Sequence, residues 1–94
     1  MLRLPSAELL EQRHSFPCQY TFKVIGRATN NFSARVVAEV RQEMGMEVDP
    51  PYYCRSTRNG GHISVTLEPT CESAQQVLAI YARLSGLDEL VMLL

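Results

Sequence analysis

The sequence predicts an α+β domain in two layers, with helices laid over one antiparallel sheet, and three observations carry that expectation. Residues 19–26 alternate with a period of two, residues 32–44 repeat apolar positions at intervals of four, and Asn59-Gly60-Gly61 separates two further alternating runs. A sheet with one buried face needs the first pattern, a helix covering that face the second, and a hairpin the third.

The elements follow in order. Ser6 can cap a short helix around Leu9-Leu10-Glu11, so residues 1–15 are expected to form an N-terminal arm or short helix, and residues 16–94 one domain. Gln19 to Gly26 is the first strand, with Tyr20, Phe22 and Val24 on one face and Thr21, Lys23 and Ile25 on the other. Thr29-Asn30-Asn31 can cap a helix whose stripe is Phe32, Val36, Val40 and Met44, widened by Val37 and stopped by Gly45. Pro50-Pro51 forbids helix, so Tyr52 to Thr57 is expected at a sheet edge. Asn59-Gly60-Gly61 then turns the chain into His62 to Leu67, with Ile63, Val65 and Leu67 inward. Ser73 and Gln76 have capping-box spacing before a helix with Val77, Ile80, Tyr81 and Leu84 on one stripe, ended by Ser85-Gly86. Leu90 to Leu94 closes the chain as a last strand.

Strand, helix, strand, strand, helix, strand is the split βαβ pattern. Right-handed crossovers place its third strand between the first and second, giving a ferredoxin-like βαββαβ sandwich with antiparallel sheet order 4-1-3-2. Both helices then cover one face, and the other is left open.

Composition narrows the function. The chain has 94 residues, 46 % of them hydrophobic and 20 % charged, which suits one ordinary folded core. Its net charge of -1 provides no global positive field for nucleic acid or anionic lipid. No apolar run resembles a signal-peptide core or a membrane span, so the expected location is cytoplasmic. Cys18, Cys54 and Cys71 form an odd set without C-x-x-C spacing, and Pro17 breaks any helix that would align His14 with Cys18. Reduced thiols, no metal and no cofactor are therefore expected.

The segment Phe16-Pro17-x-x-Tyr20-Thr21-Phe22-Lys23-Val24-Ile25-Gly26 resembles the opening signature of the small bacterial YbeD-like proteins. The likeness continues through Val36-Val37, Ser64-Val65-Thr66, Gln76-Val77 to Tyr81, Leu84 and the terminal apolar strand, with few insertions. It implies a ferredoxin-like fold similar to the small-molecule-sensing ACT domains, in a family without an established biochemical role. It brings no catalytic residues. Asn59-Gly60-Gly61 and the Asn-rich entry to the first long helix depart from the family pattern.

An enzyme of this fold and size would resemble the acylphosphatases, which place an arginine-bearing loop after the first strand. Gly26-Arg27-Ala28-Thr29-Asn30-Asn31-Phe32 occupies that place but has one glycine, too few for backbone N-H groups to converge on a phosphate. Neither histidine has an evident orienting carboxylate, and Glu68, Glu72, Asp88 and Glu89 are expected at strand and helix ends, solvated or favourably placed near helix N-termini. An RNA-binding sheet would need outward aromatics on its central strands, which the third strand lacks. No catalytic residue is assigned. The expected function is a non-enzymatic regulatory or interaction module binding a small molecule or a protein, with Lys23, Arg27, Arg55, Arg58 and His62 as contact candidates. The alternatives are an acylphosphatase-like hydrolase or a weak RNA-binding sheet. Leu90, Val91, Met92 and Leu93 are candidates for an edge through which two copies would pair.

Overall fold

The computed structural model describes residues 4–94; residues 1–3 of the expected arm lie outside this range. The elements run α1 (Ala7–Arg13), β1 (Cys18–Gln19), β2 (Phe22–Arg27), α2 (Phe32–Met44), β3 (Tyr52–Ser56), β4 (His62–Leu67), β5 (Thr70–Cys71), α3 (Ala74–Ser85) and β6 (Leu90–Leu93). This is an α+β fold with two antiparallel sheets. A four-stranded sheet has the order β3-β4-β2-β6, and β1 pairs with β5 in a two-stranded ribbon.

The expected first strand is split in two. Phe22 faces Leu67 in the β2–β4 pair, and Cys18 faces Cys71 in the β1–β5 pair, so one register runs through both. Between them Tyr20 donates its N-H to the Pro69 carbonyl at 3.0 Å. Pro69 has no N-H to return, so the ladder lapses there and resumes two residues on.

The asparagines before α2 also act differently from the expectation. Asn31 is the N-cap with φ 56°, and its side chain makes no cap bond. Asn30 has φ 55°. Both supply the left-handed turn that most residues resist, rather than a side-chain acceptor. At the other end Gly45, φ 65°, closes the helix by donating to the Arg41 and Gln42 carbonyls. Ser73 caps α3 as expected, its Oγ accepting from the Gln76 N-H at 3.1 Å, while Gln76 Oε1 accepts from the Glu72 N-H one residue before the cap.

The hairpin after β3 is longer than a two-residue turn. Thr57 donates to the His62 carbonyl and Gly60 to that of Thr57. Gly60 alone in this loop takes positive φ, 75°, while Asn59 holds the loop by accepting from Thr57 Oγ1 and the Gly61 N-H.

Phe22, Val24, Val65, Leu67 and Leu93 meet Phe32, Val36, Val40, Val77, Ile80 and Leu84 in one core between sheet and helices. The core also includes Leu10 of α1, which is 3 % exposed. Without tryptophan, bulk comes from Tyr20, Phe22 and Tyr81, whose rings stand 4.9 to 6.1 Å apart. The Tyr20 and Tyr81 hydroxyls lie 3.1 Å apart, and burial followed by this hydrogen bond pushes the Tyr81 phenol well above its ordinary range. Among the described residues no helix is long and apolar enough to cross a membrane.

Candidate functional site

The face of the four-stranded sheet turned away from the helices is built by period two. Lys23, Ile25 and Arg27 of β2 lie beside Thr66, Ser64 and His62 of β4, and beyond β4 come Tyr53 and Arg55 of β3. Arg27 faces His62 at the hairpin end, and Arg55 faces Ser64 one row further in. Arg58 stands in the hairpin loop, where Thr57, Arg58, Asn59 and His62 line a broad depression of about 470 Å³. Lys23, Arg27, Arg55 and His62 therefore share one side of the sheet, and Arg58 stands at its hairpin end.

The electrostatics of the two layers differ. Arg35 pairs with Glu89 at 2.9 Å, Arg41 with Asp49 at 2.6 Å, and Arg83 with Glu39 and Glu43 at 3.1 and 2.8 Å. Among the described residues Lys23, Arg27, Arg55 and Arg58 have no such carboxylate, a condition shared by Arg13 at the end of α1. None of the four strands contains an acidic residue. With a chain net charge of -1, a cationic sheet side means that the remaining surface is net acidic.

The loop between β2 and α2 uses several of its N-H groups within the protein. Its Thr29 and Phe32 N-H groups donate to the Arg27 and Thr29 carbonyls. Arg27 ends β2 on the open side. The cation that faces the loop is Arg35, whose Nε donates to the Asn30 carbonyl and whose Nη2 donates to Glu89. Glu89 also accepts from Asn30 Nδ2 at 3.0 Å and has φ 68°. Of the two placements expected for Glu89, the structure shows the one near a helix N-terminus: its carboxylate ties the start of α2 to the start of β6. Sequence reasoning missed this cluster because its members are 54 and 59 residues apart.

The terminal candidates divide between two faces. Leu93 is opposite Val24 and 6 % exposed, so it belongs to the core, and Leu90 packs against the same core. Val91 and Met92 are 53 % and 48 % exposed, Met92 beside Ile25. Leu94, which exchanges two backbone hydrogen bonds with Lys23, adds to this exposed apolar margin.

Cysteine spacing along the chain concealed a juxtaposition: Cys18 and Cys71 are direct cross-strand partners. Burial first, then the neighbouring Cys18 and Glu72, pushes the Cys71 thiol up to about 11. Cys54 is exposed and Cys18 half-buried. Since the thiolate is the reactive form, iodoacetamide at neutral pH is expected to label Cys54 first, Cys18 more slowly, and Cys71 only after unfolding. Timed intact mass with peptide mapping checks this order. Labelling of Cys71 at the pace of Cys54 would contradict it. No group of three or more His, Cys, Asp or Glu among the described residues is arranged to hold a metal ion.

Fold and site together define a small α+β domain with an open, cation-bearing sheet face. Residues 11–94 match the family model "Protein of unknown function (DUF493)", and the chain belongs to that family. It is 32 % identical to a UPF0250 protein of Shewanella sp. strain ANA-3 over 88 residues, covering 94 % of this chain and 93 % of the relative. A UPF0250 protein of Vibrio cholerae is 30 % identical over 94 residues and the full length of both chains. The YbeD-like resemblance is consistent with this family of small bacterial proteins. The solution structure of HP0495 from H. pylori shares the fold, with TM-score 0.64, 15 % identity, and coverage of 100 % of this chain and 98 % of that one.

Proposed function

We propose that this chain is a non-enzymatic cytoplasmic module that binds an anionic small molecule or protein segment on its open sheet face. The observation that carries the proposal is the segregation of cations. Arg35, Arg41 and Arg83 are neutralised in ion pairs, whereas Lys23, Arg27 and Arg55 stand with His62 on the open side and Arg58 at its hairpin end. Unpaired cations gathered on one face give that face a positive potential, which attracts an external anion. The strand order β6-β2-β4-β3 supports a ferredoxin-like, ACT-like assignment of the sandwich. An acylphosphatase-like reaction is disfavoured because the Ala28, Thr29 and Phe32 N-H groups donate within the protein and Arg35 is committed to Glu89.

Titration of the ¹⁵N-labelled protein with a panel of carboxylate and phosphate metabolites tests the proposal. The amides of Lys23 to Arg27 and His62 to Thr66 are expected to shift. Changes confined to the helical side would refute it, as would turnover of benzoyl phosphate that disappears in Arg27→Ala.

A homodimer joined through β6 belongs to the same proposal, supported by the exposed Val91, Met92 and Leu94 at a sheet edge. Light scattering at micromolar concentration is expected to give a dimer mass for the native chain and a monomer mass for Met92→Lys. Equal masses for the two would remove this interface.

A further inference from the structure

We infer that the outer edge of β3 is a strand-addition site for an extended, carboxylate-bearing segment of another protein, which rests on the binding-module reading and narrows it. Hydrogen bonds at both ends of the β3–β4 ladder fix its parity: the Glu68 N-H donates to the Pro51 carbonyl and the Thr57 N-H to the His62 carbonyl. Residues 53 and 55 therefore bond inward to β4. Tyr52, Cys54 and Ser56 direct their N-H and C=O groups out from the sheet.

Sheet edges are normally guarded by a proline, a bulge, an inward-turned charge or a covering element. β3 pairs with β4 over five consecutive residues without a register shift, contains no proline, and has all five of its side chains exposed. Its one charge, Arg55, lies on the open face. β6, the opposite edge, is shorter, and its pairing with β2 shifts register between Ile25 and Gly26. β3 is the better template.

Charge selects the occupant. A strand laid along β3 sets alternate side chains beside Tyr53 and Arg55, with Lys23, Arg27 and His62 behind them and no acidic residue in any of the four strands. Carboxylates at every second position match that side, and small apolar residues suit the side of Tyr52 and Cys54. A second copy added through its own β3 would bring two cationic faces together. Single-stranded RNA would find Tyr53 alone as an outward aromatic on these strands, too little for a stacking platform.

The test uses the full chain, ¹⁵N-labelled, with three probes: a Val-Glu alternating hexapeptide, its Val-Lys counterpart and a short oligouridylate. The acidic peptide is expected to shift the Tyr52, Cys54 and Ser56 amides and to slow their exchange about tenfold or more, while the basic peptide does neither. Cys54→Pro removes an outward donor without breaking a ladder bond and should weaken binding by about tenfold or more. Arg55→Glu, a surface change independent of backbone geometry, should weaken the acidic peptide and admit the basic one. Acidic-peptide binding that bypasses the β3 amides or survives both variants overturns the inference, as does tighter binding of the oligouridylate. If no peptide binds while anionic metabolites still shift β2 and β4, strand addition fails and the module reading stands. If neither class of ligand shifts the sheet, both fail.

Discussion

Gly26→Ala is expected to destabilise the domain by about 2–4 kcal/mol, a large part of what a chain of this length has. A Cβ built on Gly26 would overlap three ring carbons of Phe32, closer than real Cβ atoms come to a neighbour. Gly26 is here for close approach, since its φ is not in the left-handed region. Phe32 opens α2 and is buried, and Gly26 sits where β2 shifts register against β6, so neither partner can move cheaply. Urea denaturation measures the loss. Shortening the ring relieves the clash, so in a Phe32→Leu background the same Ala substitution should cost less than about 1 kcal/mol. A Gly26→Ala protein as stable as the native one would mean that the ring packs elsewhere.

Leu93→Lys is expected to cost about 3–5 kcal/mol, because it deletes a core side chain and places an ammonium opposite Val24 without a partner. Met92→Lys, one residue earlier and on the outward face, should stay within about 1 kcal/mol of the native protein. The pair tests the assignment of faces in β6 directly. Equal denaturation midpoints would show that the strand has slipped by one residue, which exchanges every inward side chain for an outward one.

The same strand shows why some of the molecule was legible in sequence and some was not. Alternation in Phe22–Arg27 and the four-residue spacing from Phe32 to Met44 arise from burial on one face, so local pattern sufficed for these elements; in His62–Leu67 the apolar alternation was legible, but Thr66 on the other face is buried too. Leu90 to Leu94 is apolar at every position, and no pattern could tell Leu93 from Met92. β1 and β5 have two residues each and owe their separation from the main ladder to the missing N-H of Pro69. Lys23 and His62 of the open face could be named from strand alternation, whereas Arg27, expected in the following loop, is the last residue of β2. That the cations of this face lack carboxylate partners, while Arg35, Arg41 and Arg83 have them, depends on contacts between segments far apart in the chain.

The docking of α1 sets the order of synthesis against the order of folding. α1 and β1 make their principal contacts with α3 and β5, near the other end of the chain. α1 therefore has no surface on which to bury Leu10 until residues 70–85 have been made. A helix of seven residues is marginal alone in water, so its order depends on that docking. The shortest helix thus reports on whether contacts between segments far apart in the chain have formed.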